Sequence, residues 1–180
     1  MDQASFDKLS QMAELIEQNS APVPLAQEYI EYFYGAAFEV LGTRCVTSLK
    51  EARKIVDLSP TIHIPGVKSW VRGIANIGGR VLSIADLSSF LSKGETSSTG
   101  KQALVISGRG IHTGLVIDAS YGGVRFPADE LRDDLPVAAA LQPYVSGVFS
   151  TEEDGDYAVF SIERLISDAD FMQAGVLMTD

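Results

Sequence analysis

Ile64-Pro-Gly-Val-Lys-Ser-Trp-Val-Arg-Gly-Ile-Ala-Asn-Ile-Gly-Gly-Arg-Val-Leu-Ser-Ile-Ala-Asp-Leu87 reads as two strands joined by a glycine turn. Apolar, largely β-branched residues recur over 70–75 and again over 80–85, and each run has the length of a strand. Ile77-Gly-Gly between them is a turn signal, because glycine enters the left-handed backbone region at little cost.

The same texture extends in both directions. Strands are expected near 34–41, 43–48, 62–64, 103–107, 111–117, 122–126, 144–149 and 156–160, punctuated by Leu41-Gly-Thr, Ser107-Gly-Arg-Gly and Asp154-Gly-Asp. Short strands at such spacing form barrels or sandwiches. The polar stretch Lys93-Gly-Glu-Thr-Ser-Ser-Thr-Gly100 leaves roughly five strands on each side, which suggests two small barrels in one chain. Helices are fewer. Residues 5–18 carry Phe6, Leu9, Met12, Ala13 and Ile16 on one amphipathic face, with Ser5 as cap. Ser48-Leu-Lys-Glu has the form of a capping box ahead of Ala52-Arg-Lys-Ile. One turn is expected at Asp86-Leu-Ser-Ser-Phe-Leu, and a helix capped by Ser161 over 162–172 with a break at Asp168. The organisation is therefore an N-terminal helix and Pro-containing linker over 1–28, a β-rich domain over 29–176 and a tail over 177–180.

A net charge of −10 opposes nucleic-acid backbones and anionic lipid surfaces, and the fourteen basic residues form no polybasic stretch. No signal peptide heads the sequence and no apolar run approaches the length of a membrane span, so a cytoplasmic location is expected. The single cysteine, Cys45, lies in an apolar run and reads as a buried strand residue.

Signals for catalysis are sparse. His63 and His112 are the only histidines, far apart and without partners at metal-ligand spacing. His112 alternates with apolar neighbours and reads as an exposed strand residue. The glycines at 108, 110 and 114 match neither a dinucleotide fingerprint nor a phosphate loop, and a hairpin explains them better. Asp86 and Asp118 each end an apolar strand. Two such carboxylates could work as an acid–base pair, but the commoner role there is to accept backbone N–H bonds or to cap the next turn. No catalytic residue, metal or cofactor is expected. A small-molecule-binding or catalytic β-barrel stays open as the alternative.

The quoted segment resembles the signature of the CheW-like chemotaxis coupling family. There a proline-led stretch runs into V-x-G-hydrophobic-x-N-[LV]-R-G and then a strand ending in hydrophobic-D-L. Val71, Gly73, Asn76, Gly79, Asp86 and Leu87 stand at those positions. Gly114-Leu-Val-Ile-Asp118 is similar to the family's G-[LI]-V-V-D strand, and Tyr144-Val-Ser-Gly-Val-Phe with Ile162-Glu-Arg-Leu-Ile is similar to its closing strand and helix. The wording around Trp70 and the long N-terminal extension are closest to the branch that serves type IV pili and twitching motility. A flagellar or general coupling protein stays open.

The resemblance implies a mainly β fold of two small five-stranded, SH3-like barrels with short peripheral helices. It also implies a cofactor-free adaptor at membrane-bound receptor arrays, able to self-associate there. Its partners would be the regulatory domain of a CheA-type histidine kinase and the cytoplasmic tip of a methyl-accepting receptor. Leu49, Ala52 and Ile55 match the receptor-facing stretch and would share one face of a short helix. Leu104 and Val105 would lie near the same groove, and Asn76 and Arg80 are the remaining partner-binding candidates. One departure stands out: the family arginine is Gly78 here, and either Arg80 supplies its charge from the same strand face or that role is absent from this chain. Ser83 stands where a proline is usual.

Overall fold

Among the described residues of a computed structural model, 30–175 apart from 96, 109 and 153, ten strands pair into two five-stranded sheets. Strands β1 (Tyr32–Val40), β2 (Thr43–Ser48), β8 (Ala119–Pro127), β9 (Val145–Thr151) and β10 (Gly155–Phe160) make the first, in the order β8-β1-β2-β10-β9. Strands β3 (Ala52–Asp57), β4 (Val71–Ile77), β5 (Arg80–Asp86), β6 (Gln102–Gly108) and β7 (Ile111–Ile117) make the second, in the order β3-β6-β7-β5-β4. Neighbours are antiparallel except β2 with β10 and β5 with β7. Two five-stranded, SH3-like sheets are present as expected, but the polar loop at 93–100 does not divide them: each sheet takes strands from both sides of it, with β8 and β9 at the edges of one and β3 and β4 at those of the other.

Side-chain alternation builds three apolar layers. Along β10, Tyr157 and Val159 face the interior of the first sheet with Ala37, Val46 and Phe149, while Ala158 and Phe160 face the opposite way. Along β6, Val105 enters the interior of the second sheet with Leu82, Ile84 and Val116, while Leu104 and Ile106 join Phe38, Leu115 and Phe160 between the sheets. These strands are buried on both faces, which is why they read as continuous apolar runs.

Three short helices close the shared layer. The first, α1 (Leu87–Leu91), starts at Asp86, whose side chain accepts the Ser89 N–H. Ser161 caps α2 (Ile162–Ser167), and Asp168 both ends α2 and caps α3 (Ala169–Met172). Trp70 stacks on Phe171 at 5.2 Å, and Phe90 meets both rings edge-on.

Two local expectations fail as well. The stretch after Ser48 is a tight turn followed by β3, with no helix: the Glu51 N–H bonds the Ser48 carbonyl at 2.9 Å and the Lys50 N–H bonds Ser48 Oγ at 3.2 Å. Pairing of Ala52–Asp57 along β6 satisfies the backbone and buries Ala52, and this outranks the local capping pattern. At 62–64 only Ile62 pairs, in an isolated bridge to Ile74. Prolines at 60 and 65 bracket this piece and withhold the donors a longer ladder needs. The helix read over 5–18, the linker and the tail at 177–180 lie outside the described residues.

Candidate partner-binding surface

The family signature folds as the β4–β5 hairpin. Ile77 pairs with Arg80, so Gly78 and Gly79 form a two-residue loop with φ of 59° and 81°, as a type I′ turn requires. Asn76 Oδ1 accepts the Gly79 N–H at 3.0 Å and holds the loop closed. Gly73 is set by close approach. Its φ is 127°, and a Cβ there would lie 2.0 Å from the Ile62 carbonyl oxygen, inside the Ile62–Ile74 bridge. The expected geometry for Arg80 is therefore corrected: position 78 is a turn and not part of an extended run, so positions 78 and 80 share no strand face.

Arg80 instead stands at the rim of a groove of about 600 Å³ with Lys54 and His112. The floor is Ile77, Leu82 and Val105, all buried, and exposed Val81 lies alongside. His112 Nδ1 lies 2.7 Å from Ser107 Oγ across the β6–β7 hairpin. Among the described residues neither Lys54 nor Arg80 forms an ion pair. On a chain of net charge −10, this is an apolar floor under an uncompensated cationic rim.

The other expected contact residues separate. Leu104 is 0% exposed in the shared layer, on the opposite strand face from Val105, so only Val105 reaches the groove. Ala52 and Ile55 do share a face, through a bulge between Ala52 and Lys54 in a strand, and that face packs into the shared layer. Leu49 is 54% exposed on the β2–β3 turn, and its N–H bonds the Tyr34 carbonyl at 3.2 Å. Tyr34 and Tyr32 are exposed beside it, and the Arg125 guanidinium sits 5.3 Å above the Tyr32 ring. Lys54, Tyr32 and Tyr34 are not among the contact residues that the sequence motifs single out. The period-two pattern that puts Tyr32, Tyr34, Ala36 and Phe38 on one face was the available signal.

Asp86, 1% exposed, is an internal junction. It accepts hydrogen bonds from Arg72 Nη2 at 2.7 Å, Ser97 Oγ at 2.7 Å and the Ser89 and Ser98 N–H groups. Arg72 also donates to the Ser98 carbonyl, so β4, α1 and the polar loop meet on one carboxylate. Asp118 accepts the Leu41 N–H at 2.8 Å and the Ser88 hydroxyl at 3.2 Å, tying the β1–β2 turn to α1. Burial pushes the Cys45 thiol up to about 12, so it is no nucleophile near neutral pH. Among the described residues no cluster of His, Cys, Asp or Glu could hold a metal, and no helix is long and apolar enough to cross a membrane.

Two SH3-like sheets sharing one apolar layer, with the motif hairpin at a groove, define a CheW-like domain. That family matches residues 35–170, and the chain belongs to it. Among individual relatives, Protein PilI of Pseudomonas aeruginosa is 33% identical over 177 residues, covering 97% of this chain and 98% of that protein. The crystal structure of the scaffolding protein TtCheW from Thermoanaerobacter tengcongensis aligns with a TM-score of 0.63 at 16% identity. It covers 73% of this chain and 90% of that one, a likeness of fold. The chain is a CheW-like coupling protein and a homologue of PilI.

Proposed function

We propose that this protein is a non-catalytic adaptor joining methyl-accepting chemoreceptors to a CheA-type histidine kinase in the chemosensory system of type IV pili and twitching motility. It would work in the cytoplasm, at membrane-bound receptor arrays, where copies of the chain also meet one another. The observation that carries this reading is the similarity to PilI across nearly the full length of both chains. The groove supplies the physical means. An apolar floor with unpaired cations at its rim suits a partner segment that brings an apolar anchor and a carboxylate, and Arg80 could grip that carboxylate with two N–H donors.

The test is a titration with the regulatory domains of the CheA-type kinases of the same cell, together with a soluble receptor-tip fragment. Binding to the pilus-associated kinase is expected, and Arg80→Ala should weaken at least one partner about tenfold. Preference for a flagellar kinase would move the protein to that pathway. Absence of binding to every such kinase by a folded sample would remove the adaptor role. If Arg80→Ala leaves both affinities unchanged, the groove is not the contact.

A further inference from the structure

Glu51 resembles a helix cap in the sequence, and it is one, though for a helix far along the chain. Its Oε1 accepts the N–H of Glu163 in the first turn of α2 at 3.1 Å, across a separation of 112 residues. Its Oε2 accepts the hydroxyl of Thr47, a fully buried residue of β2, at 3.3 Å. Ser161 satisfies the next free donor of α2, the Arg164 N–H. A single carboxylate thus bonds the end of the β2–β3 turn to a helix whose Ile162 and Leu165 are buried between the sheets. The turn carries Leu49, an apolar side chain held 54% exposed on a loop only a few residues long.

We propose that Glu51 is a positioning residue: it locks the Leu49 turn onto α2, so that Leu49 meets the receptor tip already oriented. The inference rests on the adaptor reading above and on the Leu49 turn being a receptor contact. Holding a contact side chain in its bound geometry removes an ordering cost that binding would otherwise pay. A carboxylate suits the place, because helix N-termini favour negative charge. The Leu49 N–H to Tyr34 bond secures one end of the turn, and Glu51 secures the other.

The experiment is a double-mutant cycle in the full chain, with a soluble receptor cytoplasmic-tip fragment as the probe and melting curves as the folding control. Glu51→Ala should weaken binding roughly fivefold in a folded protein. In a Leu49→Ala background, where the oriented side chain is gone, the same change should have almost no effect. Glu51→Gln keeps a carbonyl acceptor for the Glu163 N–H and should restore most of the affinity even if Glu51→Ala proves unstable. Equal losses in both Leu49 backgrounds would mean that Glu51 acts only through general stability, and would overturn the proposal. So would wild-type binding by Glu51→Ala where Leu49→Ala binds weakly. If Leu49→Ala itself binds as the wild type does, the receptor contact at this turn is wrong and the positioning role goes with it, while kinase binding still tests the adaptor reading separately.

Discussion

Burial and hydrogen bonding pull the Asp86 carboxyl in opposite directions. Burial is the largest single influence and favours the neutral acid, but the bonds from Ser97, Ser89, Arg72 and Ser98 together outweigh it and hold the group below its ordinary range. The unfolded chain returns Asp86 to about 3.9. Because the folded value is the lower of the two, the stabilisation is complete above that pH and drains away as pH falls through the folded value. Asp86→Asn should therefore flatten the fall in urea midpoint as pH drops below about 4, and should cost about 3 kcal/mol at pH 7 through the stranded Arg72. Equal pH slopes for the two proteins would show that the charge contributes nothing. That Asp86 would end a strand and cap a turn was legible from its position before Leu87-Ser-Ser. Arg72 and Ser97 were not, because the path of the polar loop decides which side chains reach the carboxylate.

Strands with two apolar faces declare themselves in sequence, as β6, β7 and β10 did, whereas β3 imitated a helix. A bulge between Ala52 and Lys54 puts Ala52 and Ile55 on one face at a spacing of three, which is also the spacing of a helical stripe. Local pattern cannot separate the two cases; pairing with β6, some fifty residues later, does. The partner groove was half legible for a similar reason. Ile77, Gly78 and Arg80 belong to one contiguous hairpin motif, with Asn76 and Gly79 only shaping its turn, but Lys54, Val105 and His112 are gathered from three other strands. The hairpin itself allows a sharp check. With φ of 59° at Gly78, a side chain there must sit in the left-handed region, which Asn tolerates and Arg resists. Gly78→Arg, which restores the family residue, should be about 1 kcal/mol less stable than Gly78→Asn in thermal or urea unfolding. Equal stability would mean that the loop relaxes out of the type I′ geometry.

The layer between the sheets makes them one cooperative body. It draws apolar residues from β1, β2 and β10 on one side and from β3 to β7 on the other, and α1, α2 and α3 seal it. Trp70, the sole tryptophan, sits inside this layer against Phe171 and Phe90. Its fluorescence therefore reports the shared packing, while far-ultraviolet circular dichroism reports the strands of both sheets. The two urea transitions should coincide, as a two-state unit demands. A Trp70 transition clearly ahead of the dichroism would show sheets that part before they unfold. The strand order carries one more consequence. The second sheet is built from one uninterrupted stretch, β3 to β7, while the first takes β1 and β2 from before it and β8, β9 and β10 from after it. On a ribosome, which releases the chain in order, the inner sheet has all its strands while the outer one is still missing three. Phe38, Val40 and Cys45 can be fully covered only once β10 emerges and lies parallel to β2. The last strand made is thus the clasp that joins β9 to the part of the sheet already laid down as β8-β1-β2.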